Sequence, residues 1–110
     1  VKFLFSVWAT DRPGMLHVRN QVREEHRRRL RDPAPHDVKV VLGGPTLCDE
    51  LETMNGSLLI VEAESIEAVR AFINDDPYSL SQLYAAVEIR RWSQGLGPDL
   101  KSADVTTDRA

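Results

Sequence analysis

The chain switches between two hydrophobic periods, and each switch marks the edge of an element. Along Lys2–Ala9, Phe3, Phe5 and Val7 point one way and Leu4, Ser6 and Trp8 the other, a period of two that predicts a strand. Asp11-Arg12-Pro13-Gly14 supplies turn chemistry, because the proline fixes φ and the glycine tolerates positive φ. From Met15 to about Arg31 the period lengthens to that of a helix, with Met15, Val18, Val22, His26 and Leu30 on one side. Asp32-Pro33-Ala34-Pro35 ends it, since neither proline can continue an α-helix. Val38–Leu42 predicts a second strand running into Gly43-Gly44-Pro45. A polar connection, residues 49–55, then leads through Asn55-Gly56 into a third strand, Ser57–Ala63. Ser65 is the N-cap expected for a short helix that turns Ile66, Val69, Phe72 and Ile73 inward. After Asp76-Pro77 there is room for one helical turn before a last strand, Ala85–Trp92.

The predicted order is therefore βαββαβ, the split-βαβ or ferredoxin-like arrangement: an α+β fold with a four-stranded antiparallel sheet and both helices on one face. Leu4, Trp8 and residues of the third strand make the opposite face apolar, and an open apolar sheet face of that size predicts a partner. A second copy packed sheet to sheet would give a dimeric α/β barrel. Residues 1–93 are expected to form the domain. Residues 94–110, opening at Gly95-Leu96-Gly97-Pro98, are expected to form a polar, mobile arm.

Composition narrows the function. With 110 residues, 42% of them hydrophobic, the chain can build one domain with a real core. No apolar run is long enough to cross a bilayer, so no membrane role is expected. The opening residues read as a strand and not as a charged-then-apolar leader, and the single Cys48 cannot form an internal disulfide. Both features fit the cytoplasm. A formal charge of −3 argues against a general nucleic-acid binder, which is normally basic. His17, His26 and His36 lack metal-ligand spacing, Cys48 has no cysteine partner, and no dinucleotide fingerprint or nucleophile elbow is present. Catalysis, if the chain performs any, is expected to be cofactor-free proton transfer on a small molecule.

His26 is the first candidate for that chemistry. A titratable imidazole on an apolar stripe is either a satisfied core residue or a base, and in both cases it needs a hydrogen-bonding partner. Asp76 is the partner expected, which would make the pair general-base equipment. Preceding Pro77, Asp76 is pushed out of helical geometry and also suits the cap of the following turn. A carboxylate has enough lone pairs for both roles. Arg19 and Arg23, four apart beside the His26 stripe, could draw an anionic substrate toward the base, whereas Arg27, Arg28 and Arg29 read as a solvated face paired with Glu24 and Glu25. Gly43-Gly44-Pro45 at a strand end suits a bulge or the close approach of a ligand to backbone, with Gly44 and Pro45 as candidate contacts. Ser57 matters if it faces the same cavity as His26. Tyr78 is a candidate aromatic wall, and Trp8 is expected mainly to pack in the core.

Taken in order, Thr10-Asp11-Arg12-Pro13-Gly14, Arg23-Glu24-Glu25-His26, Gly43-Gly44-Pro45, Gly56-Ser57, Val61-Glu62-Ala63-Glu64-Ser65 and Asp75-Asp76-Pro77-Tyr78 resemble the YciI-related (YCII) family across roughly residues 1 to 93. Glu24 stands where that family usually has a proline. The resemblance implies a ferredoxin-like homodimer with a His–Asp dyad at His26 and Asp76. It also implies an assisting serine, matched by Ser57, as in the family's dehydrochlorinase members. The chemistry it implies is elimination from a chlorinated hydroxyhydroquinone, a hydroxylated or anionic aromatic. Rival expectations are an isomerase or lactone-processing enzyme with the same dyad, a non-catalytic small-molecule-binding dimer, and a cofactor-free oxygenase.

Overall fold

The computed structural model describes residues 1–100. Its elements run β1 (Phe3–Asp11), α1 (Leu16–Arg31), β2 (Val38–Leu47), β3 (Met54–Ala63), α2 (Ile66–Asn74), the single turn α3 (Pro77–Leu80) and β4 (Tyr84–Trp92). The sheet order is β2-β3-β1-β4 with every pairing antiparallel. This is the α+β, ferredoxin-like architecture, with the two longer helices laid across one face. Residues 101–110, part of the expected mobile arm, lie outside the described residues. Among the described residues, no helix is long and apolar enough to cross a membrane.

β2 runs five residues beyond the predicted Leu42. Gly43, Gly44 and Pro45 stay in the ladder, opposite Leu59, Leu58 and Ser57. The sheet tolerates the proline because β2 is an edge strand, paired on one side only. In β3, Gly56 is a steric requirement. A Cβ there would run into the carbonyl oxygen of Ala9 and come within 2.6 Å of Thr46 Oγ1, so only glycine lets the three strands close at this point. The next residue is Ser57.

The two long helices divide their work. From α2, Val69, Phe72 and Ile73 pack on Phe5, Val7, Val38, Leu59, Val61 and Ala63 to make the core. Ser65 caps that helix by accepting from the Ala68 amide at 3.2 Å. On α1 the apolar stripe is only half-buried at Val18, Val22 and Leu30, and the residues that go deepest are Arg19 and His26. The helix that looks amphipathic in sequence therefore turns two polar side chains to the interior, and each must find a partner there.

On the outer face of the sheet Trp8 is half exposed, beside Leu42, Leu58 and Ile60, so it is no core residue. Leu4, expected to share that exposure, is fully buried, flanked by its cross-strand partners Glu62 and Trp92.

Candidate active site

His26 projects from the inner side of α1 toward the start of α3. Its Nδ1 lies 2.8 Å and 2.9 Å from the two carboxylate oxygens of Asp76, and both residues are buried. A carboxylate can only accept, so Nδ1 carries the proton, and in the neutral form of the ring the lone pair is on Nε2. Asp76 is held in turn. It is the N-cap of α3, accepting from the Tyr78 amide at 2.9 Å, with Pro77 at the first helical position. Capping and imidazole binding are done by the same carboxylate. Arg29 Nη1 adds a contact at 3.3 Å.

Arg29 is not part of a solvated face. Its Nη2 donates to the carbonyl of Phe72 at 2.7 Å, and its guanidinium covers the Phe72 ring at 4.2 Å. Arg27 keeps the expected contact with Glu24, a loose one at 4.0 Å.

A second polar chain begins at Asp11. Its carboxylate accepts two hydrogen bonds from Arg19, Nε at 2.7 Å and Nη2 at 2.9 Å. Arg19 Nη2 also donates to Ser57 Oγ at 2.9 Å. Burial works against the Arg19 charge, but the hydrogen bond and charge of Asp11 outweigh it and raise the guanidinium's pKa. Arg19 is thus already neutralised by Asp11, whereas Arg23, also at the cleft, makes no ion pair among the described residues. Tyr84, paired opposite Asp11 through a bulge in β4, sets its hydroxyl 3.2 Å from Ser57 Oγ. Burial pushes the Tyr84 phenol well up from its ordinary value. Tyr78 joins the two chains. Its ring stacks on His26 at 3.9 Å between centroids, sits under the Arg19 guanidinium at 4.5 Å and meets Tyr84 edge-on at 5.9 Å.

These groups surround a cleft of about 140 Å³, lined by His26, Ser57, Arg19, Arg23, Gly44 and Pro45 among others. Seven of the eight residues singled out in the sequence therefore meet at one place, Asp76 from behind the imidazole. Tyr78 does not line the cleft: it is fully buried and stacks behind it on the His26 ring. Asp11, Arg29 and Tyr84 were not signalled by sequence spacing. Among the described residues no group of three or more histidine, cysteine or acidic side chains could hold a metal ion.

The site is thus a buried imidazole held by a carboxylate at a small cleft on a ferredoxin-like sheet. Residues 3–93 match the model of the YCII-related domain, and the chain belongs to that family. Among solved structures it is similar to the 5-chloro-2-hydroxyhydroquinone dehydrochlorinase of Burkholderia phenoliruptrix, in complex with 2,5-dihydroxybenzoquinone. The two are 38% identical with a TM-score of 0.73, over 84% of this chain and 95% of that one. An uncharacterized protein of Haemophilus influenzae is 29% identical over 90 residues, 78% of this chain and 92% of that protein. A NIPSNAP family protein of Agrobacterium tumefaciens shares the fold alone, at 14% identity and a TM-score of 0.51 over 89% of this chain and 98% of that one.

Proposed function

We propose that this chain is a cofactor-free lyase that eliminates a leaving group from a small cyclic substrate, with His26 as general base. The 2.8 Å contact between His26 and Asp76, which frees Nε2 toward the cleft, carries this reading. Asp76 holds the tautomer and stabilises the imidazolium that forms, as the acid member of a catalytic triad does. The resemblance to a dehydrochlorinase supports a chlorinated hydroxyhydroquinone as the substrate class. In the keto tautomer of such a ring, chlorine sits on a tetrahedral carbon. Nε2 takes the proton of a conjugated hydroxyl, and the O–H electron pair becomes a carbonyl π bond. The ring double bond then shifts and chloride leaves with the C–Cl pair. Arg23 at the cleft favours an anionic or hydroxylated aromatic.

The apolar outer face, with Trp8, Leu42, Leu58 and Ile60, supports a homodimer packed sheet to sheet, and the unpaired Cys48 supports a cytoplasmic setting.

Chloride release from 5-chloro-2-hydroxyhydroquinone tests the chemistry. His26→Ala and Asp76→Asn are each expected to slow it by about 10²-fold or more, the usual worth of a placed general base. Unchanged release in both variants would sink the assignment. Turnover of muconate-type lactones without chloride release, lost in the same variants, would instead make the chain an isomerase.

A further inference from the structure

Ser57 is the one hydroxyl at the floor of the cleft, and its hydrogen bonds can be counted. A serine hydroxyl has one proton and two lone pairs. Arg19 has only donors, so its Nη2, 2.9 Å away, occupies one lone pair. The two bonds to Asp11 hold it there. The Tyr84 hydroxyl is 3.2 Å from Ser57 Oγ, and Ser57 is the only acceptor it meets among the described residues. Tyr84 lines a surface groove with Val87 and Ile89, but its hydroxyl points inward, where burial keeps it protonated. If Ser57 instead donated to it, this inward-turned, half-buried phenol proton would be left without an acceptor among the described residues. Tyr84 therefore donates and occupies the second lone pair.

We infer that the Ser57 proton is directed into the cleft, so that Ser57 is an obligatory donor to the substrate, with Tyr84 the positioning residue that fixes this direction. The inference rests on His26 Nε2 being the acceptor across the same cleft. The two groups then have opposite hydrogen-bond polarity. A matching ligand presents a proton to His26 and an acceptor oxygen to Ser57, as a ring hydroxyl conjugated to a ring carbonyl does. When that hydroxyl loses its proton, charge spreads onto the carbonyl oxygen, where the Ser57 hydroxyl, itself polarised by Arg19, receives it. The hydroxyl oxygen of a hydroquinone is a weaker acceptor than a carbonyl, so a chlorinated hydroxyhydroquinone would be held best as its keto tautomer.

Two measurements test this. Neutron diffraction from deuterium-exchanged crystals of the ligand-free protein should place deuterium on the Tyr84 oxygen, aimed at Ser57, and the Ser57 deuterium aimed at the cleft. A Ser57 deuterium aimed at Tyr84 overturns the inference. Calorimetric titration should then show Ser57→Ala weakening 2,5-dihydroxybenzoquinone about tenfold and 1,2,4-trihydroxybenzene much less, with Tyr84→Phe costing the quinone several-fold only while Ser57 is present. Equal losses for both ligands, or additive effects of the two substitutions, also overturn it. Failure of the wild type to bind the quinone overturns the substrate class. If these results hold but chloride release ignores His26→Ala, the lyase reading fails and the polarity of Ser57 stands. If chloride release depends on His26 but the two substitutions are additive, the lyase reading stands and the polarity of Ser57 fails.

Discussion

Asp76 answers to three groups at once: the Tyr78 amide, the His26 ring and the Arg29 guanidinium. It is almost completely buried, so a substitution there removes a cap and takes the carboxylate from two polar partners. Asp76→Ala is therefore expected to lower unfolding stability by about 2–4 kcal/mol in urea denaturation. Asp76→Asn, which can still cap the turn, should lose much less, separating damage to the fold from damage to the base. His26 and Asp76 were legible in the sequence because each broke a local pattern: a histidine in an apolar stripe and a carboxylate forced out of helical geometry by the next proline. Arg29 was not. It is one of three consecutive arginines, and only the Phe72 carbonyl, far away in sequence, distinguishes it from its neighbours.

The strands and helices follow from the same logic. Alternation located β1, an apolar run located β3, and the prolines after Arg31 located the end of α1. Two features left no such signal. The extension of β2 through Gly43-Gly44-Pro45 depends on its being an edge strand, which is a property of the sheet and not of the segment. The placing of Tyr84 depends on the bulge that sets it opposite Asp11, and a one-residue shift in pairing leaves no mark in composition. Gly56 shows how strictly an element can constrain a site. Its missing side chain lets β1, β2 and β3 close immediately before Ser57. Gly56→Ala should cost about 1–3 kcal/mol by thermal or urea unfolding, as overpacking against backbone does.

At the scale of the whole molecule, the buried tyrosines make alkaline pH the sensitive direction. Burial, the largest influence on both, raises the pKa of Tyr84 and of Tyr78 above the unfolded value near 10. The folded protein then keeps protons that the unfolded chain gives up. Their contribution is complete below about pH 10 and is lost as pH rises through the folded values. Stability measured by urea denaturation should fall above that point, and more gently in Tyr84→Phe. The outer sheet face predicts assembly. Trp8→Glu is expected to shift a dimer to monomer in sedimentation, with the monomer still folded because Trp8 lies outside the core.

The division of labour between the helices has a further consequence. α2 is fastened by hydrocarbon, and α1 chiefly by the charge-assisted bonds of Arg19 and the His26 contact with Asp76. A ligand in the cleft would touch α1 on that same side, so its binding energy would add directly to the free energy that keeps the helix docked. Occupancy would then be felt as a change in the local opening of α1, while α2 goes on breathing at its own rate.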